Sequence, residues 1–346
     1  MKSKKSIVAL FLIFTILLTA AACSGKGDKE AETEMQDTAA AAEITQTAAA
    51  ETQAVNEYTA QTIELPESID SISQLVAQDG RIYFYYTYYS ENEEEYYFED
   101  RIASVKEDGS DFREFSYERA DEDSYIMSMT VDKNGDIWVA EGYRTVETDG
   151  NISACRLKRF DEDGKAIATH DVESLSSTAE ENFTIYGMTA DAQGNIYLNI
   201  GNDNTYKAAV LDDEGGILCT IETENYIDSF VTAEDGGMLA LLYEDDICVF
   251  RKIDLEQGAF GESTSLGEYY DNACGDTGSY IYLDDGTDLY RYELSTGEKT
   301  GILNWKYAGV SASSVEQLAC PSDGRFIISV TNSDTFKSEL ILISCT

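Results

Sequence analysis

The stretch Asp132–Glu141, DKNGDIWVAE, sets an Asp and a Gly three residues apart and follows them with a β-prone apolar run. Asp suits a tight turn because its side chain hydrogen-bonds the local backbone, and Gly because it tolerates positive φ. Ile137, Trp138 and Val139 then favour an extended chain on a pleated surface. The decapeptide reads as a hairpin turn entering a strand.

Outward from it, the pattern returns as DGRIYF (79–84), DAQGNIYL (191–198), DGGMLA (235–240), GSYIYL (278–283) and DGRFII (323–328). The glycines at 80, 135, 194, 236, 278 and 324 stand 55, 59, 42, 42 and 46 residues apart. A second half-motif lies within most repeats: LKRFDEDG (157–164), VLDDEG (210–215), FRKID (250–254) and LYRYE (289–293). Two hairpins per unit of this length make four short strands, and six such units predict an all-β chain folded as a six-bladed β-propeller. Helical periodicity is absent, which argues against helical solenoids. The sixth repeat ends at Leu340–Ile343, one strand short of a blade, while YTAQTIEL (58–65) is a spare strand ahead of the first. That strand is expected to complete the last blade and leave no open edge.

The predicted propeller occupies 58–346. Residues 1–22 read as an export signal: Lys2, Lys4 and Lys5, an apolar run from Ile7 to Leu18, then Ala20, Ala21 and Ala22. Cys23 follows, and the junction resembles the bacterial lipobox, with Ala20 where Leu is usual. The resemblance implies lipidation at Cys23 and an anchor on the outer face of the cell membrane. Residues 24–57 hold no aromatic side chain and little apolar patterning, so 23–57 is expected to be a flexible tether reaching on the order of 30 Å.

The repeat sequences DKNGDIWVAE and DAQGNIYL resemble those of NHL-type and virginiamycin B lyase-type propellers. The whole of 58–346 resembles the propeller that precedes the ligand-binding domain of clostridial extracellular solute-binding lipoproteins. The entry IELPESIDSISQL, the stretch GILNWKYAGV and the last strand SELILIS carry that likeness. It implies a role beside solute uptake, with the solute-binding domain supplied by another chain. The lyase chemistry does not come with the likeness, because its histidine has no matching position here.

Charge narrows the function. The chain carries 24 basic and 66 acidic residues, a net charge of −42; without the signal's three lysines the balance is 21 against 66, or −45. Nucleic acid and anionic lipid both demand the opposite sign, so neither is an expected partner, and membrane attachment falls to the lipid alone. Enzyme readings are thin. His170 is the single histidine, so any histidine-based triad, base or multi-histidine metal site depends on it, and it is expected at the exposed edge of the second blade instead. A carboxylate-based polysaccharide lyase or hydrolase remains as the alternative, since so many acids can always supply a pair. Acidic turns such as Asp161–Gly164 and Asp212–Gly215 invite Ca²⁺, but they lack the twelve-residue ligand pattern of a calcium loop and read better as solvated turns. No cofactor is expected. Beyond Cys23 there are six cysteines, Cys155, Cys219, Cys248, Cys274, Cys320 and Cys345, and no Cys-x-x-Cys. Cys274 and Cys320 fall at equivalent repeat positions, as do Cys155 and Cys248, so most are expected to be small buried apolar groups rather than bridges.

Short glycine turns mark one face of a propeller, which leaves the variable loops on the other. Residues 85–100 (YYTYYSENEEEYYFED) and 141–151 (EGYRTVETDGN) are the long insertions there. Tyr88, Tyr89, Tyr96, Tyr97 and Tyr143 are the candidate binding residues, because tyrosine faces stack on sugars and peptides while the phenol offers a hydrogen bond. The expected function is non-catalytic recognition of a glycan, peptide or surface protein by a monomer.

Overall fold

The computed structural model describes residues 58–345 apart from 93–94, 121–123, 144–153, 173–174, 176–183, 202–204, 276–278, 307–309, 311–314 and the single positions 234, 246, 268 and 323. The export signal, Cys23 and the tether lie outside the described residues.

Six antiparallel sheets of four strands make the six blades, and the described residues hold no α-helix. Blade 1 is β2 (Gln74–Gln78), β3 (Arg81–Asn92), β4 (Glu95–Lys106) and β5 (Arg113–Ser116). Blade 2 is β6 (Tyr125–Val131), β7 (Ile137–Tyr143), β8 (Ala154–Phe160) and β9 (Ala166–Asp171). Blade 3 is β10 (Thr184–Ala190), β11 (Ile196–Gly201), β12 (Tyr206–Leu211) and β13 (Ile217–Thr223). Blade 4 is β14 (Tyr226–Thr232), β15 (Met238–Glu244), β16 (Ile247–Asp254) and β17 (Ala259–Ser265). Blade 5 is β18 (Asn272–Gly275), β19 (Tyr280–Asp284), β20 (Asp288–Glu293) and β21 (Lys299–Asn304). Blade 6 is β22 (Val315–Ser322), β23 (Arg325–Thr331), β24 (Ser338–Cys345) and, as its outer strand, β1 (Tyr58–Ile63).

The expected closure is present. β1 pairs antiparallel with β24 from Tyr58 opposite Cys345 to Ile63 opposite Leu340. This joins the two ends of the propeller within one blade and removes an unpaired edge.

Burial follows strand position. The second strands IWVAEGY and IYLNIG are buried along almost their whole length, which is why they read as continuous apolar runs. The outer strands AIATHD and ILCTIET alternate and stay largely exposed. Six apolar clusters occupy the six interfaces between neighbouring blades. Ile63 belongs to the cluster between blades 6 and 1, so the closing strand also packs.

The turns explain the Asp-Gly signature. In DKNG, Asp132 Oδ1 accepts from the backbone N–H of Asn134 and Asp136, while Oδ2 accepts from the Trp138 indole at 3.0 Å. Asp191 repeats this with Gln193, Asn195 and the Tyr197 hydroxyl. Asp161 and Asp212 each cap two N–H groups of their own turns. These carboxylates are spent on holding their loops. Gly135, Gly164, Gly194 and Gly215 adopt positive φ, as the turns require.

Two expectations need correction. The insertion at 85–100 is not an irregular loop but an extension of the β3–β4 hairpin, paired from Arg81 opposite Lys106 to Asn92 opposite Glu95. His170 lies on an outermost strand, as expected, but it is not an exposed edge residue. Its ring stacks on Trp138 with centroids 5.5 Å apart, beneath the Gly215 turn of blade 3, and its Nε2 is buried without a hydrogen-bond partner. A Cβ on Gly215 would stand 2.4 Å from His170 Nδ1, so the glycine leaves room for the imidazole. Among the described cysteines there is no disulfide: Cys155 and Cys248 are buried, and Cys219, Cys274 and Cys320 half-buried, thiols.

Candidate functional site: a tyrosine ladder on the loop face

Strand direction alternates within a blade, so the starts of the first and third strands share one face with the ends of the second. The long connections lie there. On this face, Tyr186, Tyr206, Tyr226, Tyr243 and Tyr269 form a continuous series of ring contacts from blade 3 to the entry of blade 5. Tyr206 meets Tyr226 edge-on at 5.3 Å between centroids, with Tyr186 edge-on to Tyr226 at 6.0 Å. Tyr226, Tyr243 and Tyr269 then stack nearly parallel, at 6.1 and 5.0 Å. The ends of the series are open to solvent, Tyr186 at 49% and Tyr269 at 63% exposure.

Local backbone explains the placement. The innermost strands β6, β10 and β14 each carry a bulge at the same level, between Ile126 and Ser128, Ile185 and Gly187, and Ile227 and Ser229. The residue set aside by each bulge is Met127, Tyr186 and Asp228 respectively, and a bulge re-aims that side chain. Gly201 completes the cradle: a Cβ there would fall 2.7 Å from the Tyr186 ring and 2.9 Å from that of Tyr206. The Tyr243 hydroxyl donates to the Tyr270 carbonyl at 2.8 Å and so fixes the middle of the series.

Asp228 supplies the charge. Burial pushes its carboxyl up to about 6, and the nearby charge of Asp271 adds to the rise. Tyr226 and Tyr243 are both held above the usual phenol range, first by burial and then by the Asp228 charge. Among the described residues Asp228 has no ion-pair partner.

The tyrosines singled out in the sequence take different places. Tyr88 is half-buried, with the Arg101 guanidinium 4.2 Å from its ring centre. Tyr143 has Arg156 over its ring at the same 4.2 Å. Tyr89 is exposed, and Tyr97 and Tyr96 pair in register with Ser90 and Glu91 along the extended hairpin. The ladder lies in blades 3 to 5, away from Tyr88 and Tyr89 of blade 1 and Tyr143 of blade 2, and the sequence reading missed it. A signal was present in the triplets Ile126-Met-Ser128, Ile185-Tyr-Gly187 and Ile227-Asp-Ser229, which recur at the bulges. Among the described residues no three His, Cys, Asp or Glu side chains converge as a metal site. Two clefts, of about 180 and 320 Å³, lie on the opposite face between blades 1 and 2 and between blades 6 and 1.

No protein-family model and no curated protein matches the sequence. Solved propellers do match in structure. A luciferin-regenerating enzyme superposes with a TM-score of 0.55 at 9% identity, over 83% of this chain and 95% of that one. A gluconolactonase-like protein gives 0.51 at 12%, over 84% and 92%. Virginiamycin B lyase from Staphylococcus aureus gives 0.50 at 14%, over 84% and 100%. At such identities the likeness is one of fold, and it places the chain among β-propellers that include enzymes.

Proposed function

We propose that this chain is a non-catalytic recognition module, held at the outer face of the cell membrane by a lipid on Cys23, which binds a glycan, peptide or protein partner across the loop face. The tyrosine ladder carries the reading. Five rings in series, exposed at both ends, give rigid amphipathic contact area with few rotatable bonds to order on binding. Tyr89 and the hairpin that bears it extend the same face outward. The resemblance to propellers of solute-binding lipoproteins supports a place beside an uptake system.

A thermal-shift screen of the mature chain, with Cys23→Ser to remove the lipid, tests this against oligosaccharides and peptides. A ligand at a hundred times its Kd adds about 2.7 kcal/mol of stability. The expected result is a shift that Tyr186→Ala with Tyr269→Ala abolishes. A shift that survives the double variant sinks the assignment of the site.

One observation favours a second reading, a carboxylate-based polysaccharide lyase or hydrolase. Asp228 holds its proton up to about pH 6 beside Tyr243, as an acid–base residue must near neutrality. Chain shortening or a new unsaturated end in a polysaccharide incubated with the protein, lost in Asp228→Asn, would establish it.

A further inference from the structure

The loop face carries tyrosines of two kinds. In blades 1 and 2, Tyr88 and Tyr143 occupy equivalent positions in β3 and β7, and equivalent arginines on β4 and β8 lie over them. Arg101 stands opposite Tyr86, and Arg156 opposite the matching Glu141. Each guanidinium meets its ring at 4.2 Å, close enough for the ring's negative face to attract it. Blade 4 breaks the pattern. Val249 stands opposite Leu242, at the position the arginines hold, and no Lys or Arg among the described residues lies over Tyr206, Tyr226, Tyr243 or Tyr269.

The charge around those rings is negative. Asp228 is half-buried at the β14 bulge, and Asp271, just ahead of β18 in blade 5, adds a second negative charge near it. Glu244, at the end of β15, is taken by Arg251 at 2.6 Å, but Asp228 has no such partner among the described residues. A carboxylate left in this state favours a cation that arrives with its own apolar or planar body. Neutral sugars use ring faces and can donate hydroxyls to a carboxylate, but only a cation also neutralises its charge.

We infer that the ladder around Tyr226, Tyr243 and Tyr269 binds a peptide presenting an arginine or lysine side chain, with the cation against the tyrosine rings and Asp228 as its counter-charge. This deepens the recognition reading above and rests on it. Peptide is favoured over amino sugar because the protein already builds the arginine–tyrosine contact twice on this same face.

The test is calorimetric titration of the mature Cys23→Ser chain with acetyl-Gly-Arg-Gly-amide and with the same peptide carrying citrulline, which keeps the shape and loses the charge. The arginine peptide should bind at least tenfold more tightly than the citrulline one. Asp228→Asn should remove that preference, and Tyr269→Ala should weaken arginine-peptide binding about threefold to tenfold. Glu262→Gln, an exposed acid on β17, should change neither, which separates this site from general attraction to an acidic surface. Equal binding of both peptides, or a preference untouched by Asp228→Asn, overturns the inference. If a neutral oligosaccharide or a glucosamine oligomer instead binds in a Tyr269-dependent way, the cationic-peptide assignment falls while the recognition site stands. If neither variant alters binding of any of these probes, both fall.

Discussion

The rings of Tyr243 and Tyr269 lie 20° from parallel with centroids 5.0 Å apart, although one ends a strand of blade 4 and the other lies in the connection to blade 5. Tyr269 is 63% exposed, so its truncation removes little buried area. Tyr269→Ala should therefore leave the melting temperature within about 1 °C of the parent, since surface changes stay within about 0.5 kcal/mol. Loss of its ring face should cost the arginine peptide about 1 kcal/mol, the threefold to tenfold rise in Kd given above. Calorimetric titration beside a melting curve checks both halves; a large fall in melting temperature would make Tyr269 a folding residue.

Asp228 gives a pH signature. Its folded carboxyl is raised to about 6, so the native state binds the proton more tightly than the unfolded chain does. Stability from this group is complete below the ordinary carboxyl range and is lost as pH rises toward about 6. Asp228→Asn should accordingly stabilise the protein at pH 7 by on the order of 1–3 kcal/mol and leave it nearly unchanged at pH 4. The groups facing Asp228 are Ser229 and Tyr226 on its own strand, Tyr243 and Cys248 from β15 and β16, and Asp271 ahead of β18. Of these, Asp271 adds to the shift in the same direction. Denaturant melts of both proteins at the two pH values decide it.

His170 predicts the opposite slope. Burial first, and the Arg159 charge second, hold its pKa below the usual histidine value. The folded state favours the neutral ring, so stability is full above the unfolded value of about 6.5 and declines as pH falls through it toward the folded one. His170→Phe keeps a ring on Trp138 and should flatten stability between pH 7 and pH 5. An unchanged slope would mean the imidazole takes up its proton without cost.

The closing strand can be tested by side-chain position. Ile63 is 2% exposed between blades 6 and 1, whereas Thr59 of the same strand faces solvent. Ile63→Ala should cost about 2–4 kcal/mol, a fall of several degrees in melting temperature, and Thr59→Ala almost nothing. Similar melting temperatures for the two would show that β1 pairs without packing.

Blade count, closure and turn chemistry were legible because they repeat. Asp132, Asp191 and their glycines recur at a fixed distance from an apolar strand, and β-pairing converts that period into blades. The ladder was hidden for a different reason. Tyr186, Tyr206, Tyr226, Tyr243 and Tyr269 come from four strands and a connection, and only the side-by-side packing of blades 3, 4 and 5 brings them together. Bulges also break the alternation by which a side chain's face is read, so Tyr186 and Asp228 turn where strict pleating would not send them. The dense run at 85–100 drew attention to blade 1 instead, where Tyr88 is already covered by Arg101.

The most direct measurement is hydroxyl-radical footprinting of the mature chain, with and without the ligand that gives the largest thermal shift. Tyr186, Tyr269 and Tyr89 are 49%, 63% and 63% exposed, so all three report. Protection of Tyr186 and Tyr269 by at least a few-fold, stronger than at Tyr89, is the predicted result. Protection confined to Tyr89, or to Arg113 and Lys106 beside the clefts of the opposite face, would contradict the site.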